Sequence, residues 1–167
     1  LDTKIYDKNI YHLFLVERDF KVIDFQRRIK FFLRGTKNLT ENIIINKVEK
    51  KFANRIKFRI KIDKSFDDEI NRNLFLHGKT MVLDELIFLY IDGVFNTKRF
   101  REIFNLVKNW KKKKLPISGS DFMALGIKEG ILIGKTLKKI EKWWITNEFR
   151  PKREECIKSL KSILLPR

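Results

Sequence analysis

Ser118-Gly119-Ser120-Asp121-Phe122-Met123-Ala124-Leu125-Gly126-Ile127-Lys128-Glu129-Gly130-Ile131-Leu132-Ile133-Gly134-Lys135 is the stretch on which the fold turns. Serine or aspartate at its head can cap a short helix, and Gly126 can end that helix in a left-handed conformation. A second helix is expected from near Gly130 to about Ile145. The spacing therefore predicts a helix, a glycine-bounded turn and a second helix over residues 120–145. Gly130 and Gly134 are four apart and share one helix face, so another backbone, either a helix or a phosphodiester, can approach closely there. The unpaired N–H groups at the start of the second helix suit a phosphate, with Lys128, Lys135, Lys138 and Lys139 nearby. Close helix packing explains the same glycines equally simply.

Upstream, Lys111-Lys112-Lys113-Lys114 leads into Leu115-Pro116. Proline biases its predecessor away from the helical region, so the helix through Trp110 is expected to finish near it. Four cations at a helix C-terminus would suit the negative end of the macrodipole, and they would equally suit phosphate. Downstream, Trp143-Trp144 closes the second helix, either as core for both indoles or with one as a stacking platform. Arg150-Pro151 is expected to open a last helix with proline in its first position and Ile157, Leu160, Ile163 and Leu164 inward.

Helical spacing continues toward the N-terminus. Ile10, Leu13 and Phe14, then Phe20, Ile23, Phe25, Ile29, Phe32 and Leu33, predict two amphipathic helices ending at Arg34-Gly35. Leu83, Leu86, Ile87, Tyr90, Ile91 and Val94 form a further stripe after the Gly78-Lys79-Thr80 turn, and Phe100, Ile103, Phe104, Val107 and Trp110 another. Residues 55–62 alternate apolar and basic with a strand period. No second alternating run can pair with them, so irregular or helical structure is favoured there. The fold class is all-α, an elongated bundle of short amphipathic helices. It is read as a helical body over 1–107 and a basic tail over 108–167, within one continuous unit.

With 167 residues and 43% apolar content the chain can build a core, which excludes intrinsic disorder. Its longest apolar run, Leu86 to Ile91, is too short to cross a bilayer, and no apolar leader opens it. Cys156 is the single cysteine, so no intrachain disulfide can form and a reducing cytoplasm is expected. An inert core thiol is the favoured reading. The chain opens at Leu1 rather than Met, which suggests an unusual start or a longer parent.

Thirty-eight Lys and Arg against 21 Asp and Glu leave +17. Abundant Lys, Ile, Asn and Phe are also what an AT-rich genome gives. Placement says more: residues 1–107 carry 22 basic and 15 acidic groups, whereas 108–167 carry 16 and 6. A one-sided cationic cluster suits a polyanion such as a phosphate backbone. His12 and His77 have no companion ligands, which disfavours zinc or a His-Asp phosphohydrolase centre. Glu17-Arg18-Asp19 and Asp67-Asp68-Glu69 are the nearest carboxylate clusters, and capping or solvation accounts for them.

The stretch from Leu74 to Leu160 resembles the C-terminal part of bacterial CCA-adding tRNA nucleotidyltransferases of the poly(A) polymerase family. Leu74-Phe75-Leu76-His77-Gly78, then Val82-Leu83-Asp84, is similar to the family's L-Y-R-x-G … D element. Leu115 through Gly130, with Ile133-Gly134-Lys135-Thr136-Leu137, resembles its P-x-x-G-x-D-L … G-x-x-x-G-x-x-x-G-x-x-L signature. Trp143-Trp144, Phe149-Arg150-Pro151 and Glu154-Glu155-Cys156 continue the likeness, which spans about half the chain.

This resemblance implies an all-helical body and tail that hold tRNA while a head domain adds C, C and A. In the family that head carries a Gly-Ser loop and a D-x-D pair, and it takes Mg2+, CTP and ATP. The sequence contains no Asp-x-Asp, and its one Gly-Ser pair, Gly119-Ser120, opens a helix, so no catalytic residue and no cofactor is assigned to this chain. The expected phosphate contacts are Lys111, Lys112, Lys113, Lys114, Lys128, Gly130, Gly134, Lys135, Lys138, Lys139, Arg150, Lys152 and Arg153. The expected partners are tRNA and a separate head subunit. The alternatives are a docking subunit for such a head and a gene fragment without function.

Overall fold

The computed structural model describes residues 3–34, 50–60, 66–127 and 130–164. Among them are nine helices and no strand: α1 (Thr3–Asp19), α2 (Phe25–Leu33), α3 (Lys50–Lys57), α4 (Phe66–His77), α5 (Lys79–Ile91), α6 (Thr97–Asn109), α7 (Gly119–Ala124), α8 (Gly130–Thr146) and α9 (Arg153–Leu164). The protein is all-α. No described helix is long and apolar enough to cross a membrane. Gly35 and residues 61–62 of the alternating stretch lie outside the described residues. Within that stretch, 55–57 close α3 and 58–60 are non-helical.

Two compact units divide the chain. The first comprises residues 1–66 and 76–110, the second 67–75 and 111–167. In the first, α5 is apolar nearly all round and is buried nearly all round, with Val82, Leu86, Ile87, Phe88 and Ile91 in the core. It packs against α1 and α6. Asn96 starts α6 by accepting the Arg99 N–H at 2.9 Å, and Phe100, Ile103, Phe104 and Val107 supply its inner face.

In α2, charged side chains point inward instead. Its buried residues are Arg27, Lys30 and Phe31, while Phe25 and Ile23 are more than two-thirds exposed. Phe20 and Ile23 precede the helix, in the turn and linker after α1, so the expected apolar stripe is corrected. The burial is possible because every inward charge meets an opposite one. Arg27 Nε donates to Asp84 Oδ1 at 2.8 Å and Nη1 to Glu17 Oε1 at 3.1 Å. Arg55 grips Asp84 with two nitrogens, at 2.7 and 2.8 Å, and reaches Asp24 Oδ2 at 2.8 Å. Arg28 meets the other oxygen of Glu17 at 2.7 Å. Lys30 Nζ lies 2.7 Å from Glu85 Oε1, a buried ion pair. Burial pushes the Lys30 ammonium below its ordinary pKa, against the pull of Glu85 and Asp84.

Asp24 caps α2 by accepting the Arg27 N–H at 2.9 Å. Burial alone would raise its pKa. The Arg55 hydrogen bond, the Arg27 amide and both guanidinium charges outweigh that and hold it below 3.8. The unfolded chain therefore binds the proton more readily than the folded one. This contribution to stability is complete above pH 3.8 and lost as pH falls through the folded value. An Asp24→Asn variant should accordingly show a flatter stability profile at acid pH in urea melts, and an unchanged profile would remove Asp24 from the account.

The second unit closes around Ile117, Phe122, Ile140, Trp144, Cys156 and Leu160. Phe75 of α4 joins them, its ring 5.3 Å from Phe149 and 6.0 Å from Trp144. In α7 the Asp121 carboxylate accepts the Ser118 N–H at 2.8 Å. The helix stops where Gly126 takes φ +83°, and the Ile127 N–H returns to the Phe122 carbonyl at 3.1 Å. Gly126→Ala forces a Cβ into the left-handed region and should cost about 1–2 kcal/mol, read from urea unfolding.

Two expected boundaries are corrected. The helix through the 100s ends at Asn109, because Trp110 is extended (ψ 133°) and carries the chain out before the four lysines. Stacked in one helical turn those lysines would repel one another. The last helix starts at Arg153, two residues after Pro151, because the Glu155 side chain accepts the Lys152 N–H at 2.8 Å and fixes the start there.

Candidate nucleic-acid interface

α8 sorts its side chains by face. Thr136, Ile140, Trp144 and Ile145 are buried, while Lys135, Lys138, Lys139 and Lys142 are all exposed. At 1.5 Å rise per residue the four cations span about 10 Å of one outward surface. Lys142 was not among the residues singled out from the sequence. The signal was present, since it continues the run at i+3 from Lys139 and i+4 from Lys138.

Gly130 and Gly134 sit on the exposed part of the first turns of α8. A Cβ placed on either would meet nothing within 4 Å. Close packing against another described helix is therefore not what these glycines serve, and the surface above them is open. Ile131 beside them is 69% exposed. Lys128 lies outside the described residues.

The lysine run is exposed and non-helical. Two of its members cover aromatic rings of the second unit, with Lys112 Nζ 5.8 Å from the Phe75 centroid and Lys113 Nζ 4.6 Å from that of Phe149. Each contact is worth about 0.5–1 kcal/mol at an exposed site. Lys113 thus lies over the ring of the residue that precedes Arg150. Glu148 and Phe149 both take positive φ, 55° and 61°, in the turn that ends α8. That turn is held by the Phe149 N–H on the Trp144 carbonyl at 3.0 Å and by Trp144 Nε1 donating to the Pro151 carbonyl at 3.0 Å.

The remaining arginines are already engaged. Arg150 pairs with Glu148, and Arg153 pairs with Asp121, which ties α9 to α7. Lys152 is exposed ahead of α9. Trp144 is buried, and Trp143 is half-buried against the same cluster, so both indoles belong to the core. Cys156 is fully buried in it, and burial together with Glu155 pushes its thiol pKa up, which fits an inert thiol.

Among the described residues no cluster of three or more His, Cys, Asp or Glu is placed to hold a metal. Glu17 is committed to Arg27 and Arg28, and Asp19 to Arg18. His12 packs on Tyr90 and His77 on Phe58, at 5.5 and 4.4 Å. The chain matches no protein-family model, no curated protein and no solved structure.

Proposed function

We propose that the chain is the tRNA-holding body and tail of a cytoplasmic CCA-adding tRNA nucleotidyltransferase, placing the acceptor arm for a catalytic head whose D-x-D pair these 167 residues do not contain. The family rests on the motif resemblance from Leu74 to Leu160. The observation that carries RNA binding is the outward face of α8, where Lys135, Lys138, Lys139 and Lys142 project beside the open surface at Gly130 and Gly134. Double-stranded RNA is held mainly through phosphates and 2′-hydroxyls and by its shape, which asks for cations at intervals and a surface without bulk. In this reading Mg2+, CTP and ATP belong to the head domain of the full enzyme.

The test is a titration of the chain against tRNA lacking its CCA end and against an RNA hairpin of equal charge, at two salt concentrations. Tighter binding to tRNA at the higher salt is expected. Equal, steeply salt-dependent binding to both would leave only generic attraction to polyanions and would defeat the tRNA reading.

A second reading, docking onto a separate head, is favoured by one observation in the first unit. Tyr11, Ile23 and Phe25 are 65%, 71% and 73% exposed. Stoichiometric co-purification with a nucleotidyltransferase head, and no tRNA affinity without it, would select that reading.

A further inference from the structure

We propose that the first unit carries a binding site for a small organic anion with an apolar body. The site is a cavity of about 560 Å³ where the ends of α1 and α6 meet the start of α5. Phe20, Leu83, Phe104 and Val107 line it with hydrocarbon, and Lys21, Lys79 and Lys108 line it with positive charge. Its size and its combination of apolar walls with a few charged groups are those of a small-molecule site. Asp19 is the one carboxylate among the lining residues, against three lysines, so positive charge is in excess there. Among the described residues Lys21 and Lys108 have no ion-pair partner.

A second, independent observation is the backbone of Lys21. Its φ is +54°, in the left-handed region. The Lys21 N–H bonds back to the Arg18 carbonyl at 3.2 Å and the Val22 N–H to that of Glu17 at 2.9 Å, the helix-ending turn that ordinarily takes glycine. A lysine is strained there, and strain of this kind collects at binding sites. The walls are also fixed in advance. The Val22 carbonyl accepts from the buried Arg27, and Lys79 Nζ is anchored on the Lys108 carbonyl at 2.8 Å. An aromatic floor and one tethered lysine, both in place before binding, lower its ordering cost. The floor itself is rigid, with Phe20 edge-on to Phe100 and Phe104 at 4.9 and 4.8 Å.

The experiment uses the full chain and two fluorescent probes of similar body, anilinonaphthalene sulfonate and the uncharged N-phenylnaphthylamine. Saturable one-to-one binding of the sulfonate is expected, with Lys21→Gln and Lys108→Gln each weakening it about fivefold. Lys158→Gln, on α9, should leave it unchanged. Lys21→Gly should raise the Tm, by relieving the turn, while weakening the sulfonate. Sulfonate binding that ignores both Lys21→Gln and Lys108→Gln, or that matches the uncharged probe in every variant, would overturn the site. So would a Lys21→Gly variant that gains stability with sulfonate affinity intact.

Discussion

Asp84→Ala is expected to cost the first unit about 3–5 kcal/mol, a large share of the stability of an ordinary domain. The carboxylate accepts from Arg27 Nε and from two nitrogens of Arg55, and it lies 3.9 Å from Lys30 Nζ. Arg27 and Arg55 side chains are only 2% and 8% exposed, so water cannot replace the lost partner. Glu17 still meets Arg27 and Asp24 still meets Arg55, which sets the loss below that of two isolated buried cations. Asp84→Asn keeps the volume and one acceptor and should cost less. Urea unfolding followed by circular dichroism measures both. A loss below about 1 kcal/mol for the alanine variant would mean that the network is neutral overall, as buried ion pairs sometimes are.

The second large effect concerns RNA. Replacing Lys135, Lys138, Lys139 and Lys142 together by alanine should make the salt dependence of tRNA binding shallower by about 3 to 4 in log–log slope. Affinity at about 0.15 M salt should drop on the order of a hundredfold. The four residues are exposed and their removal touches no core contact, so the Tm should hold. The same change at Lys111 to Lys114 should act differently. Lys112 and Lys113 already cover Phe75 and Phe149, and losing them should lower stability together with binding. Arg153→Ala should act on stability through Asp121 more than on the salt slope. A salt slope unaltered in the α8 variant would remove that face from the interface.

The contrast between these two sites explains what could be read from the sequence. Helices at 97–109 and 130–146 were legible because apolar residues recur there at threes and fours, and the helix at 79–91 because its apolar run is long, although that helix is apolar nearly all round and not striped. The inner face of α2 was not. Arg27 and Lys30 lie off the expected apolar stripe, and their partners Asp84 and Glu85 are more than fifty positions away, a pairing that only the folded chain reveals. The run at 111–114 announced its charge but concealed its shape, because the rings beneath Lys112 and Lys113 come from other segments. Pro116 and Pro151 misplaced two helix boundaries, since Trp110 and Glu155 act closer to the true ends. That Lys135, Lys138 and Lys139 share the outward face of α8 could be read in advance, because their placement is local to one helix.

The second unit is discontinuous in sequence, with residues 67–75 and 111–167 on either side of the α5–α6 hairpin. During synthesis the α4 segment leaves the ribosome well before the residues that complete its core, so Phe75 waits until Trp144 and Phe149 have been made. Loop-closure entropy must be met before those contacts form, as it must for Phe20 against Phe100 in the first unit. A fragment beginning at Lys111 would carry the whole lysine-rich surface yet lack the ring of Phe75 against its tryptophan. Work that seeks the RNA-binding part alone should therefore keep α4 attached.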